Sequence, residues 1–223
     1  MISWDSIDPK AAHVLKRFKD TGLMEKFYLS GGTALALQLG HRVSVDLDFF
    51  SQKSLHKIQT EEIMTALEKT FPQTKLPVSF RAADQIWLEI EEVKTTFLAY
   101  PFERKHPLIR ADGILLADVR DIALQKAFAV GRRAAARDYV DLACILRSGA
   151  TTLEEINADA REVFVEDEER LFSPRLFMQQ LVYTEDLEDR DAVIRLMRGS
   201  YDFDSLIDEL RLATGQTGAR LWS

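Results

Sequence analysis

Two closely spaced acidic side chains, Asp46 and Asp48, are the residues of this sequence best suited to chemistry. Residues two apart in a β-strand project from one face, so the two carboxylates are forced together while Leu47 points away. Repulsion between them opposes ionisation of both unless a cation lies nearby. Mg²⁺ suits such a pair, because it binds proteins through one or two carboxylates together with substrate phosphates. The pair therefore predicts a site for Mg²⁺, or Mn²⁺, and a phosphorylated substrate.

The alternative for this pair is an exposed edge strand with one polar face. Bulky apolar residues flank the two aspartates and favour a buried strand instead: Val43, Val45, Leu47, Phe49 and Phe50. We expect one strand over residues 43–50, with the carboxylates on its accessible face.

A glycine turn precedes the acidic strand. Residues Ser30, Gly31, Gly32 and Thr33 lie where a predicted strand, residues 27–29, passes into a nearly all-apolar helix, residues 33–39. Backbone N–H groups at such a junction, and the positive end of the helix, bind anions such as a triphosphate. Two glycines also let phosphate oxygens approach the backbone. The alternative is an ordinary tight turn with Thr33 near the helix cap.

The remaining elements follow from apolar periodicity. A sheet region comes first, with further helices at residues 9–23 and 58–71, strands at residues 86–90 and 93–100, and then a loop containing Pro101, Pro107 and Gly113. Helices follow at residues 118–130, 135–147, 153–164, 174–183 and 191–197. The sequence thus predicts an α/β core over residues 1–117 and an all-α domain over residues 118–223.

Composition narrows the class of protein. The 223 residues carry 36 acidic and 29 basic side chains, a net charge of −7, so no overall positive field attracts nucleic acid. A single cysteine, Cys144, excludes an internal disulfide framework and fits a reducing compartment. Because no segment resembles a signal peptide or a membrane span, we expect a cytoplasmic protein that does not contact membranes.

Charged residues in the helical half are ambiguous. Lys126 falls inside a stripe of core positions, so its ammonium either reaches water along the surface or serves a site as a cation. On the next predicted helix, Arg137 and Asp141 are spaced as an ordinary surface ion pair. For Asp138, on the same helix, we favour a functional role.

Three enzyme classes use an aspartate pair of this kind. Haloacid-dehalogenase-like phosphatases usually place small residues after it, but Phe49 and Phe50 follow here. Glycosyltransferases that use sugar nucleotides do not need an upstream glycine pair. A glycine turn, a helix and then an acidic strand are the arrangement of polymerase-β-like nucleotidyltransferases, with their mixed sheet and flanking helices. Phosphatase or glycosyltransferase activity stays open as a weaker alternative.

A long stretch of the sequence resembles one family of this kind. The matching segments are LSGGTALAL (29–37), GHR (40–42), SVDLDFF (44–50), the residues from Lys94 to Tyr100-Pro101-Phe102, Asp121-Ile122 with Lys126, and RDYVDL (137–142). Together they cover about residues 28–146 and resemble the AbiEii/AbiGii toxin family of nucleotidyltransferases.

This resemblance implies a function. Members of the family are toxins of bacterial toxin–antitoxin and abortive-infection systems, proposed to transfer a nucleotide from a nucleoside triphosphate (NTP) to an RNA, such as tRNA, or to a protein. By resemblance, Gly31 and Gly32 hold phosphate, Asp46 and Asp48 hold the metal, and Lys126 and Asp138 complete the site. A cognate antitoxin protein is an implied partner.

The sequence departs from the family pattern at Thr96. Many relatives carry a third acidic residue two positions after the lysine that matches Lys94, and threonine cannot replace a carboxylate as ligand or base. Glu89 on the preceding strand takes that place only if the strands pair suitably. Otherwise two carboxylates suffice, or the protein is a catalytically degenerate nucleotide-binding or antitoxin-binding member of the same fold.

Overall fold

The computed structural model describes residues 2–130, 132–199 and 201–221, which divide into two compact units. The sheet unit comprises residues 1–103 and 107–118, and the helical unit comprises residues 104–106 and 119–223.

The described residues of the sheet unit form three α-helices and seven strands. They are α1 (Pro9–Phe18), β1 (Phe27–Ser30), α2 (Gly31–Leu39), β2 (Leu47–Ser51), α3 (Thr60–Thr70), β3 (Val78–Arg81), β4 (Gln85–Ile90), β5 (Val93–Leu98), β6 (Ile109–Ala111) and β7 (Ile114–Leu116). The strands form one mixed sheet in the order β3-β4-β5-β2-β1-β7-β6, in which β2 runs parallel to β5 and β1 parallel to β7. This confirms the predicted mixed sheet with helices.

One face of this sheet is the hydrophobic core. Phe18 of α1 stacks on Phe49 of β2 with ring centroids 4.0 Å apart, and Phe49 stacks on Phe97 of β5 at 5.2 Å. All three rings are fully buried. Since side chains alternate along a strand, Asp48 projects from the opposite face.

The described residues of the helical unit form six α-helices and a short hairpin. The elements are α4 (Val119–Val130), α5 (Ala136–Ser148), α6 (Leu153–Val163), β8 (Val165–Glu166), β9 (Glu169–Arg170), α7 (Pro174–Val182), α8 (Arg190–Leu196) and α9 (Phe203–Leu221). Helix α6 begins with a capping box between Thr152 and Glu155, and Phe128 of α4 stacks on the buried Phe164 just after α6 at 4.2 Å. The five helices expected after residue 117 are all present.

Two local predictions were wrong. Residues 101–117 are not only a loop, because β6 and β7 form a hairpin closed by Asp112 and Gly113, both at positive φ. An Asp-Gly pair is a strong signal for such a two-residue turn. The expected strand over residues 43–50 starts only at Leu47, because the backbone of Ser44 instead bonds to Ser6 and Asp8 near the N-terminus.

Within the described parts of the chain, no helix is long and apolar enough to cross a membrane.

Candidate nucleotide and metal site

The glycine turn forms the sharp passage from β1 into α2. Gly31 has a φ of +63°, in the left-handed region that favours glycine, and α2 begins at the same residue. Ser30 is fully buried and its side chain makes no capping hydrogen bond to the helix. The first N–H groups of a helix have no acceptor within the helix, so this end is suited to an anion.

Asp48 lies directly beside this turn. It pairs with Ser30 across the β1–β2 ladder, and a Cβ atom added to Gly31 would stand 2.9 Å from its Oδ2 atom. The absence of a side chain at Gly31 therefore makes room for the carboxylate of Asp48. The predicted convergence of the glycine turn with this acid is present in the sheet unit.

Asp46 occupies the residue just before β2 rather than a position inside the strand. It is half-buried like Asp48, and Leu47 between them is fully buried. The Thr33 hydroxyl of α2 donates its hydrogen bond to the Asp46 backbone carbonyl, and its Oγ1 atom lies 2.8 Å from Ser44 Oγ, within hydrogen-bonding distance. Thr33 thus fixes the backbone of the acidic segment to α2, and its predicted role in nucleotide binding stays a prediction.

Val45 contradicts the interpretation that every apolar flank of the aspartates is buried. Its side chain is 42% exposed, because residue 45 lies in the irregular segment before β2. The edge-strand alternative is nevertheless wrong for Asp48, since β2 lies between β5 and β1 in the interior of the sheet.

Arg42 also borders the glycine turn, through a contact with Gly32 that was not predicted. It is buried, and a side chain at Gly32 would overlap its guanidinium group. A carboxylate therefore borders one glycine of the turn and a guanidinium borders the other. The only signal in the sequence is the position of Arg42 within the motif segments, because a contact with Gly32 depends on how the intervening helix turns back.

The strand register settles the positions of Thr96 and Glu89. Thr96 of β5 is the direct neighbour of Asp48, so it occupies the place expected for a third carboxylate. Glu89 pairs with Lys94 instead, on β4, one strand beyond β5. Two strand spacings of about 4.8 Å put its backbone about 10 Å from the line of β2. Glu89 is therefore not equivalent to the missing acid.

The donor set fits a divalent metal ion that also binds its substrate. Among residues 2–130, 132–199 and 201–221, no group of three or more His, Cys, Asp or Glu side chains is arranged to hold a metal. One carboxylate beside a turn that can bind phosphate, with a second two residues earlier in the chain, matches the mode of Mg²⁺, which takes its other ligands from water and substrate. Asp46 and Asp48 are the residues that would hold it.

Lys126 and Asp138 lie in a buried ion network of the helical unit. Lys126 is 6% exposed, and its Nζ atom lies 2.7 Å from Asp138 Oδ1 and 2.6 Å from Asp141 Oδ2. Both carboxylates are fully buried. The expected surface pair of Arg137 with Asp141 is therefore wrong: Arg137 instead lies 3.5 Å from Asp189.

Arg133 completes this network. Its Nε donates to Asp138 Oδ2 at 2.7 Å and its Nη2 to Oδ1 at 3.1 Å. Burial alone raises the pKa of Asp138, but the charges of Lys126 and Arg133 outweigh burial and hold that pKa below its ordinary value. Within this unit the Lys126 ammonium does not reach the surface, because it is buried and bonded to two carboxylates. Its predicted role at the triphosphate, and that of Asp138, stay predictions.

Comparison with known proteins places these features in one family. The family of nucleotidyltransferase AbiEii toxins, from type IV toxin–antitoxin systems, matches residues 13–210. An Aquifex aeolicus protein is 28% identical over 181 residues, covering 78% of this chain and 82% of its own length.

Two solved structures have the same fold. JHP933 from Helicobacter pylori has a TM-score of 0.59 at 18% identity and covers 97% of this chain and 95% of its own. MenT4, a nucleotidyltransferase toxin from Mycobacterium tuberculosis, has a TM-score of 0.52 at 18% identity and covers 92% of this chain and 82% of its own.

Proposed function

The chain belongs to the AbiEii nucleotidyltransferase toxin family, and on that premise we propose that it transfers a nucleotide from an NTP to an acceptor in a metal-dependent reaction. The observation that carries the proposal is the position of the Asp48 carboxylate against Gly31, at the start of α2. Phosphate-binding N–H groups and a metal-binding acid are thereby adjacent.

Each candidate site residue of the sheet unit has a defined role in this proposal. The N–H groups at Gly31 and Gly32 bind phosphate oxygens, and Asp46 and Asp48 hold Mg²⁺ or Mn²⁺. When bound, the metal neutralises charge on the triphosphate and activates the attacking oxygen. Ser30 and Thr33 shape the turn, since both are buried and Thr33 bonds to the Asp46 backbone.

The reaction is a substitution at phosphorus. An oxygen of the acceptor forms a bond to the α-phosphorus, the bond from that phosphorus to the bridging oxygen of the β-phosphate breaks, and pyrophosphate leaves. The acceptor hydroxyl releases its proton to water or a base. Attacking and leaving oxygens are roughly in line, so the protein contributes chiefly position and charge.

A transfer assay tests this function. Purified protein is incubated with each α-labelled NTP, MgCl₂ and either total RNA or total protein, and label in the polymer is counted. We expect labelling that requires the metal and disappears in Asp46→Asn and Asp48→Asn. Absence of labelling with every triphosphate, or equal labelling by the variants, would contradict the proposal.

A second candidate function is a nucleotide-binding protein of the same fold that has lost catalysis. The observation that favours it is Thr96 beside Asp48, where a carboxylate is expected from the family pattern. This candidate predicts tight, metal-dependent NTP binding without transfer. Gain of labelling in Thr96→Asp would then identify the lost group.

The biological setting is proposed from the family alone. A toxin of this kind acts in the cytoplasm and is neutralised by an antitoxin encoded beside it. Inspection of the adjacent gene, followed by co-expression and a growth assay, tests this part separately from the chemistry.

A further inference from the structure

An exposed aromatic pair lies on the same sheet face as the candidate metal site. Phe80 of β3 and Trp87 of β4 are 41% and 45% exposed, with ring centroids 4.8 Å apart. The indole Nε1 donates to Gln85 Oε1 at 2.8 Å, which fixes the orientation of the ring. The two rings are tilted by 41° to each other, and the indole presents an aromatic surface that is held in place and open to solvent.

The strand register connects this pair to the carboxylate. Phe80 pairs with Trp87, Trp87 with Thr96, and Thr96 with Asp48, across four adjacent strands. Direct cross-strand neighbours project from the same face of a sheet. Two strand spacings of about 4.8 Å separate the backbones of Trp87 and Asp48 by about 10 Å.

The direction of the reaction assigns the side of Asp48 that faces β5 and β4 to the acceptor. The glycine turn lies on the β1 side of Asp48, because Ser30 is the β1 partner of Asp48. If the leaving pyrophosphate is held at the turn, an in-line attack comes from the opposite side. That is the side of Thr96 and Trp87.

We propose that Phe80 and Trp87 form a stacking platform for an unpaired base near the end of a single-stranded nucleic-acid acceptor. The inference rests on the proposed nucleotidyl transfer for its direction. Aromatic side chains stack bases of any sequence. Because the net charge of −7 provides no overall attraction to phosphates, stacking is expected to be a major source of affinity for the nucleic acid. Lys94, exposed on the same face of β5, is placed to contact a phosphate of that strand.

Binding of a short fluorescein-labelled single-stranded RNA, followed by anisotropy in MgCl₂, tests the platform. Trp87→Ala is expected to weaken binding about tenfold, and Trp87→Phe much less, since phenylalanine retains a stacking surface. Tyr183→Ala is the matched control, because Tyr183 is an equally exposed aromatic residue of the helical unit. Its affinity should equal that of the wild type.

Abasic substitution in the RNA makes the test independent of folding. Loss of the stacked base should weaken binding to the wild type about tenfold and leave binding to Trp87→Ala unchanged. Equal loss in both proteins, or an equal effect of Tyr183→Ala, would overturn the proposal. So would the absence of any RNA binding by the wild type, which would favour a protein acceptor.

Two further readouts separate this inference from the proposed function. A fluorescent NTP analogue should bind Trp87→Ala and the wild type equally, and a loss there would overturn the proposal by assigning the rings to the base of the NTP. If label transfer fails while stacking of RNA is observed, the platform stands and the transferase proposal falls. If transfer occurs but Trp87→Ala labels RNA with an unchanged KM, the platform is wrong.

Discussion

The two aspartate pairs of this protein have the same charge and opposite surroundings. Asp46 and Asp48 are half-buried, with Asp48 beside a glycine turn, whereas Asp138 and Asp141 are fully buried and bonded to Lys126. A buried carboxylate is tolerated when protein cations compensate it, and losing one partner then destabilises the fold. A carboxylate pair with access to solvent is instead available to an external cation.

This contrast assigns activity to the pair Asp46 and Asp48, and stability to the network of Asp138, Asp141 and Lys126. Substitutions at the first pair should remove activity and preserve stability, and substitutions in the second network should remove stability first. Loss of stability at Asp46 or Asp48, or loss of activity without loss of stability in the Lys126 network, would contradict this division.

The largest expected effect is on activity at the first pair. Asp46→Asn and Asp48→Asn should each reduce the initial rate of label transfer by more than about 100-fold, because even outer partners of a metal ligand cost about 10- to 100-fold. Their thermal midpoints should stay at or above that of the wild type, since one of two repelling charges is gone. A rate near that of the wild type would refute the metal assignment.

Lys126→Met should destabilise the protein most. Two fully buried carboxylates lose their shared cation, and breaking a buried pair costs about 3–5 kcal/mol of unfolding free energy. Urea unfolding measures this.

Lys105→Met is the control for Lys126→Met. Lys105 also bonds to two carboxylates of the helical unit, Asp159 and Glu162, but at a partly exposed position. Solvent screening limits its effect to less than about 1 kcal/mol. Equal losses in the two variants would show that burial does not distinguish the networks.

Gly31→Ala tests the contact between the turn and Asp48. The strained backbone costs about 1–2 kcal/mol, and the new Cβ would also displace the carboxylate, so the transfer rate should fall about tenfold or more. Gly22→Ala is a matched control, because Gly22 has a φ of +73° and open space around it. It should lose similar stability and no activity; a rate loss equal to that of Gly31→Ala would contradict the assigned contact.

The smallest effect concerns Tyr139, which is buried in the helical unit and donates to the Gln180 carbonyl at 3.0 Å. Burial, followed by the charges of Asp186 and Asp138, raises its pKa to about 12. Because the folded-state pKa is raised from 10, the stabilising contribution is present below pH 10 and is lost as pH rises toward 12. Tyr139→Phe should abolish this part of the alkaline slope in urea unfolding; an unchanged slope would contradict it.

The sequence predicts features that depend on short-range pattern. The turn at Gly31, the alternation of Leu47 with Asp48 and the buried helix α2 follow from local spacing, and all three are present. Asp48 also converges with the turn because one short helix links β1 to β2, which leaves few ways to connect the two strands.

Features that depend on distant partners were not predicted. Asp141 has the spacing of a surface pair with Arg137, and only the packing of α4 against α5 reveals its bond to Lys126. Ser44 leaves the sheet because the backbone of residues 6 and 8 competes for its hydrogen bonds. The alignment of Trp87 with Asp48 likewise depends on the register of three strands, which the sequence does not specify.

The most direct test of the central claim is the anomalous diffraction of Mn²⁺ bound to crystals together with a non-hydrolysable NTP. We expect a manganese peak about 2 Å from carboxylate oxygens of Asp46 and Asp48, with phosphate oxygens against the N–H groups of Gly31 and Gly32. A metal–nucleotide complex bound elsewhere, with both carboxylates free of metal, would contradict it.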